Sequence, residues 1–142
     1  MREKIILNNP ERFAKPYSIS PEKLSKAIER ALDKLERDIP RWTDYFAGGS
    51  TSVDYKYRQG SNNNWVCGMQ TGLYWLAYEL SGNKKFRDAV EKHLPTYRER
   101  FEKKIGMDDH DVGFVYTPSC VAAYKITGNE QIKKLLLDVV CV

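Results

Sequence analysis

Long apolar runs are missing from this chain. The amino-terminal Ile5-Ile6-Leu7, cut off by Asn8-Asn9-Pro10, is far too short for a signal-peptide core or a membrane span, so a cytoplasmic location is expected. Cysteine is scarce: Cys67, Cys120 and Cys141 are odd in number, far apart and without a C-x-x-C pair. That excludes a readable disulfide framework or zinc site and fits a reducing compartment. With only 6 Pro and 9 Gly in 142 residues, nothing suggests a low-complexity or disordered chain. There is no block of one charge either, because 23 Lys and Arg against 19 Asp and Glu give +4, spread along the sequence. Nucleic acid is therefore not an expected partner, and neither is a membrane. What remains is 42% hydrophobic, 12% aromatic and 30% charged, the balance of one soluble globular domain.

Helical signals dominate. Ser20-Pro21-Glu22 supplies a capping hydroxyl, a proline where no N–H is needed, and an acid near the positive helix end. Leu24, Ala27, Ile28, Ala31, Leu32 and Leu35 then form one apolar stripe, and Pro40 is expected to end the helix. Residues 1–19 read as an extended arm. Residues 47–64 read as irregular or extended, with a Val53-Asp54-Tyr55-Lys56-Tyr57 alternation followed by Gly60-Ser61-Asn62-Asn63-Asn64. Thr71 to Leu80 is apolar on nearly every face, which predicts a helix surrounded by protein. After Ser81-Gly82-Asn83 an amphipathic helix carries Phe86, Ala89, Val90, Leu94, Tyr97 and Phe101, with Pro95 expected to kink or interrupt it.

The unit recurs. Residues 76–86 align with residues 122–132 at an offset of 124 − 78 = 46, matching Ala77/Ala123, Tyr78/Tyr124, Gly82/Gly128 and Asn83/Asn129 by identity. A hairpin of an apolar helix, a Gly-Asn turn and an amphipathic helix buries its inner helix by stacking on other hairpins, which implies an α-solenoid or α/α toroid. Two unrelated hairpins sharing a common turn are the alternative.

Chemistry concentrates in Asp108-Asp109-His110-Asp111, just before the apolar Gly113-Phe114-Val115-Tyr116. Clustered carboxylates beside an apolar wall raise a carboxyl pKa, as general acid work requires; an acidic loop capping the next helix is the plainer alternative. Adjacent residues in one loop seldom converge on an ion without the spaced pattern of metal ligands, so no metal and no cofactor are expected. Trp65, in the polar loop that feeds the apolar helix, is a candidate platform for a sugar ring or, more commonly, a core residue. Tyr55-Lys56-Tyr57-Arg58 is too short a run to argue for nucleic acid. His93 reads as a surface or partly packed residue and the cysteines as small buried hydrophobes.

These segments resemble the unsaturated glucuronyl hydrolases, a glycoside hydrolase family. The resemblance is carried by Asn64-Trp65, Gly68, Thr71-Gly72, Trp75-Leu76-Ala77-Tyr78-Glu79, Gly82, Asp109-His110-Asp111-Val112-Gly113-Phe114-Val115-Tyr116, Thr117-Pro118-Ser119-Cys120 and Tyr124. It implies an all-α fold, namely helical hairpins of an (α/α)6 toroid, with residues 1–142 supplying about its first, N-terminal half. It also implies a cytoplasmic bacterial enzyme acting on acidic oligosaccharides, derived from glycosaminoglycans or other uronates, that carry a 4,5-unsaturated uronic acid at the non-reducing end. The reaction implied is hydration of that double bond rather than the usual displacement between two carboxylates.

By the same resemblance Asp111 corresponds to one of two essential aspartates, His110 to the adjacent site histidine and Trp65 to the aromatic of the substrate pocket. The family's proton-donating aspartate falls on a later helix without counterpart here, so this chain alone is expected to be inactive. Where the family has Gly-Phe-Trp, this chain has Gly68-Met69-Gln70, a less aromatic wall. The apolar end, Leu135 to Val142, suggests a truncated or split product, or one completed by a second copy or by a C-terminal half. The competing readings are a non-catalytic helical-hairpin binding module and a poorly folding remnant.

Overall fold

A computed structural model describes residues 8–11, 19–51 and 54–141. The expected arm over residues 1–19 therefore lies mostly outside the described residues. The chain divides into two compact units, Met1–Ala31 and Leu32–Val142. In the first, the Ser20 hydroxyl accepts from the Lys23 amide at 3.3 Å and caps helix α1 (Pro21–Trp42) as its sequence requires. Leu24 stays exposed, so this end of the apolar stripe is not buried among the described residues.

The second unit begins within α1. Pro40 does not end the helix, which continues to Trp42 and closes with Thr43 donating to the Ile39 carbonyl through both its amide and its hydroxyl. The missing proline N–H is outweighed because Trp42 is buried and its carbonyl accepts from His93 Nε2 at 2.8 Å. Strands β1 (Phe46–Thr51) and β2 (Tyr57–Gly60) then form an antiparallel hairpin, pairing Ala47 with Gln59 and Thr51 with Tyr57. Four steps on one strand oppose two on the other, an irregularity at Gly48-Gly49 that bends the ribbon. The expected Val53–Tyr57 alternation is not a strand: Asp54 and Tyr55 sit in the turn, Tyr55 with φ +60°, and Val53 lies outside the described residues.

Helices α2 (Val66–Ser81), α3 (Lys84–Glu91), α4 (Leu94–Glu102), α5 (Val112–Tyr116), a π-helical turn (Thr117–Val121), α6 (Ala122–Thr127) and α7 (Glu130–Val140) make the rest. The two Gly-Asn turns are copies of one another. Gly82 and Gly128 adopt φ +66° and +67°, and each donates its amide to a tyrosine carbonyl four residues back, Tyr78 or Tyr124, at 2.8 Å. Asn83 caps α3 by accepting from the Lys85 amide, and Asn129 caps α7 by accepting from the Gln131 and Ile132 amides. Ser81 and Thr127 both return their hydroxyls to an alanine carbonyl, Ala77 or Ala123. The repeat read from the sequence is thus a repeat of hydrogen bonds as well as of letters. Pro95 interrupts its helix as expected, with α4 starting afresh at Leu94.

The core gathers on α2 and α4: Cys67, Tyr74, Trp75, Ala77, Phe86, Val90, Tyr97, Val115, Cys120, Ala123 and Leu135 are all buried. Helix α2 is not enclosed on every side, because Leu73, Leu76 and Leu80, spaced on one stripe, are about half exposed. His93 is no surface residue; it is 1% exposed. Its Nε2 must carry hydrogen, since it faces a carbonyl, which leaves Nδ1 to accept from the Thr71 hydroxyl at 3.1 Å. Tyr97 shares its hydroxyl hydrogen between the Thr71 oxygen and the Cys67 carbonyl, each at 2.8 Å. Burial lowers the His93 pKa below its usual value and raises the Tyr97 phenol well above its own. No helix among the described residues is long and apolar enough to cross a membrane.

Candidate active site

Two glycines set the site. A β-carbon on Gly68 would meet the Phe114 and Val115 carbonyl oxygens at 2.2 and 2.5 Å, and one on Gly72 would meet Pro118 Cβ at 2.7 Å. With glycine at both positions, one face of α2 lies backbone-to-backbone on α5 and the π-helical turn. Pro118, which has no N–H, sits in that turn; π-helical turns recur at functional sites. This contact brings the two candidate segments of the sequence together. Trp65, at the start of α2 and 47% exposed, lies with its ring 6.1 Å from that of Phe114 on α5. It is therefore not the core tryptophan of the commoner reading.

The acidic loop ends at the same place. His110 lies between two carboxylates, Nδ1 2.9 Å from Asp109 Oδ1 and Nε2 3.4 Å from Asp111 Oδ1. Both contacts lie within ion-pair distance and carry charge attraction only when the ring is protonated. Asp111 stands at the cap position of α5, yet its side chain caps nothing: it is Asp109 that accepts from the Asp111 amide, at 3.1 Å. The capping alternative for the acidic loop thus fails at Asp111, whose carboxylate is one-quarter exposed and held by His110 alone among the described residues.

The donor atoms of Asp109, His110 and Asp111 lie within 4.8 Å of one another. They are three consecutive residues of one loop and lack the spaced ligand pattern of most metal centres.

Beside His110 lies a shallow depression of about 420 Å³, lined by Met69, His110, Gly113, Phe114, Thr117 and Pro118; Trp65 reaches it only through its ring contact with Phe114. Met69 supplies wall where the family pattern has an aromatic. Gln70 does not face it; its amide pins the hairpin, accepting from the Ala47 amide at 2.7 Å and donating to the Tyr45 carbonyl at 3.1 Å. Sequence reasoning missed Phe114 as a site residue, although an exposed aromatic between Gly113 and a buried Val115-Tyr116 pair was the available signal. A larger cavity of about 550 Å³ lies by the hairpin and contains none of Trp65, His110 and Asp111. Its cations are already engaged: Lys34 by Asp38, Lys56 by Asp54 and Arg41 by the Tyr57 carbonyl.

No family model matches the chain. It is 34% identical over 131 residues to the unsaturated chondroitin disaccharide hydrolase of Streptococcus pneumoniae, a match covering 92% of this chain and 33% of that protein. The structure is similar to that of the unsaturated glucuronyl hydrolase of Streptococcus agalactiae, with a TM-score of 0.86 and 31% identity over 98% of this chain and 36% of that one. A mutant of that enzyme complexed with dGlcA-GalNAc6S gives a TM-score of 0.84, again at 31% identity, over 98% of this chain and 38% of that one. The chain therefore spans about a third of these relatives, less than the half suggested by counting hairpins. In sequence and in structure, over nearly all of its own length and about a third of theirs, the chain is similar to the unsaturated glucuronyl hydrolases.

Proposed function

We propose that this chain supplies one wall of an unsaturated glucuronyl hydrolase site, binding the unsaturated uronic acid end of an acidic oligosaccharide. The observation that supports this best is one open depression lined by Phe114 and His110, with Trp65 against the first and Asp111 beside the second. Indole and phenyl faces suit the C–H side of a sugar ring. In the proposed reaction an acid delivers a proton to C4, positive charge develops toward C5 and the ring oxygen, and water adds at C5 while its own proton passes to the conjugate base. The hemiketal so formed opens and releases the remaining sugar.

Asp111, left free of capping duty, holds the reacting ring and biases the protonation of the acid/base partner through its charge. That partner is a second aspartate, in chain beyond the third of the family that this sequence matches. Alone, the 142 residues bind without turnover. Incubation with unsaturated chondroitin disaccharide leaves the absorbance of the conjugated double bond unchanged. Turnover by the chain itself, abolished by Asp111→Asn, would overturn the need for the second aspartate.

A second reading, a binding module without chemistry, is favoured by Met69 in place of an aromatic wall. It differs in that Trp65→Ala weakens binding of the acidic oligosaccharide while Asp111→Asn changes it little.

A further inference from the structure

Arg100 is the most deeply buried cation among the described residues, 4% exposed, and no carboxylate lies within ion-pair distance of it there. Its guanidinium is solvated by neutral oxygens from two loops. Nη1 donates to Asn62 Oδ1 at 3.1 Å and to the Asn64 carbonyl at 2.9 Å, while Nε donates to the Ile105 carbonyl at 3.0 Å. The first loop runs directly into Trp65. The second leads from α4 through Met107 to the Asp109–Asp111 loop, and it is shaped around the arginine: Lys104 and Gly106 adopt φ +53° and +58°, and a β-carbon on Gly106 would stand 3.1 Å from Nη2. Asn62 is itself buried and tied on its other side to Thr96 Oγ1 at 3.0 Å.

Burying a cation without a counter-charge is costly, and the protein recovers that cost only through these three bonds. Such an arrangement is poor as a means of stabilising the core. It is well suited to fixing one loop against another, because a planar fork with several donors fixes direction as well as distance. We infer that Arg100 is a positioning residue, which sets the Trp65 loop against the loop leading to His110 and Asp111 and so sets the width of the sugar site. The inference rests on the reading that Trp65 and Asp111 serve one site. A lysine at this position keeps the charge but carries its three donors on one nitrogen, without the planar fork that meets one loop through Nη1 and the other through Nε.

The test uses the full chain labelled with 5-fluorotryptophan, which gives one fluorine resonance for each of its three tryptophans, that of Trp65 assigned by its loss in Trp65→Phe. In Arg100→Lys the Trp65 resonance moves and becomes more accessible to a soluble quencher, while those of the buried Trp42 and Trp75 stay. Asn62→Ala, which removes one acceptor and leaves the arginine, moves Trp65 in the same direction by less. Should Arg100→Lys fail to fold, Asn62→Ala decides by the same criterion. An unmoved Trp65 resonance overturns the inference, and so does a joint shift of all three, which would mark an ordinary core residue. Binding of unsaturated chondroitin disaccharide weakens about tenfold in Arg100→Lys if the loops set the site. Absence of binding by the unsubstituted chain would instead count against the shared site, with the Trp65 resonance still deciding whether Arg100 positions its loop.

Discussion

A β-carbon on Gly68 would stand 2.2 Å from the carbonyl oxygen of Phe114. No rotamer change relieves such a clash, because both partners are backbone. Gly68→Ala is therefore expected to cost about 3 kcal/mol or more and to part α2 from α5. Gly72→Ala meets Pro118 Cβ at 2.7 Å and the Pro118 carbonyl oxygen at 3.1 Å, a smaller overlap with a neighbour that is also rigid, and should cost less, about 1–2 kcal/mol. Urea unfolding midpoints check the order, and equal costs at the two glycines would contradict it.

The paired turns make a second prediction. Asn83→Ala removes a cap with one accepted bond and a contact to Glu36, and Asn129→Ala a cap with two accepted bonds, so each should cost about 1 kcal/mol. The double variant should show the sum, since the two turns share no partner. Thermal or urea denaturation measures all three, and a cost confined to one asparagine would show that the repeat is one of sequence alone.

These turns were legible because a Gly-Asn stop and start is local chemistry that tertiary contacts seldom override. So was the break at Pro95, which follows from ring geometry. Pro40 does not end α1 because its one lost hydrogen bond is offset by the burial of Trp42 and the His93 bond to the Trp42 carbonyl, neither of which is local. His93 was misread for a related reason: its neighbours in sequence are charged, but its partners are Trp42 and Thr71, 51 and 22 residues away. The hairpin of β1 and β2 was hidden by Gly48-Gly49, which weakens strand propensity; the hydrogen bonds that pin it come from Gln70 on another element. Trp65 and Asp111 are candidates that the sequence offers, while the close approach of Gly68 to Phe114 depends on backbone contact that residue types do not reveal.

Stability should depend on pH through His93. Burial holds its folded pKa below the unfolded value of 6.5, so the unfolded chain takes up a proton first as pH falls. The groups facing the ring are Thr71, the Trp42 carbonyl, Phe46 and Tyr74, with Asp44 opposing the shift. The stabilisation is present above the unfolded pKa and is lost as pH drops through the window beneath it, with a slope of at most about 1.4 kcal/mol per pH unit. Urea midpoints between about pH 5 and 8 should fall on acidification, and His93→Asn, though less stable throughout, should flatten the curve over the same window. A midpoint that rises on acidification would contradict the buried neutral ring.

The thiols should divide one against two. Cys141 is exposed, whereas Cys67 and Cys120 are fully buried, and burial pushes the Cys120 thiol up to about 12. A chromogenic disulfide reagent should titrate one thiol rapidly in the native protein and the other two only after denaturant is added. Rapid reaction of all three would mean that the α2 core opens readily.

In the proposed site Trp65, His110 and Asp111 face one sugar. Titration of unsaturated chondroitin disaccharide into the isotopically labelled chain, followed by NMR chemical shifts, tests this most directly. Saturable shifts gathered on the Trp65 indole, the His110 ring and the Phe114 and Asp111 amides are predicted. Shifts that gather instead at the cavity beside the hairpin, or fail to saturate at any residue of this group, would contradict it.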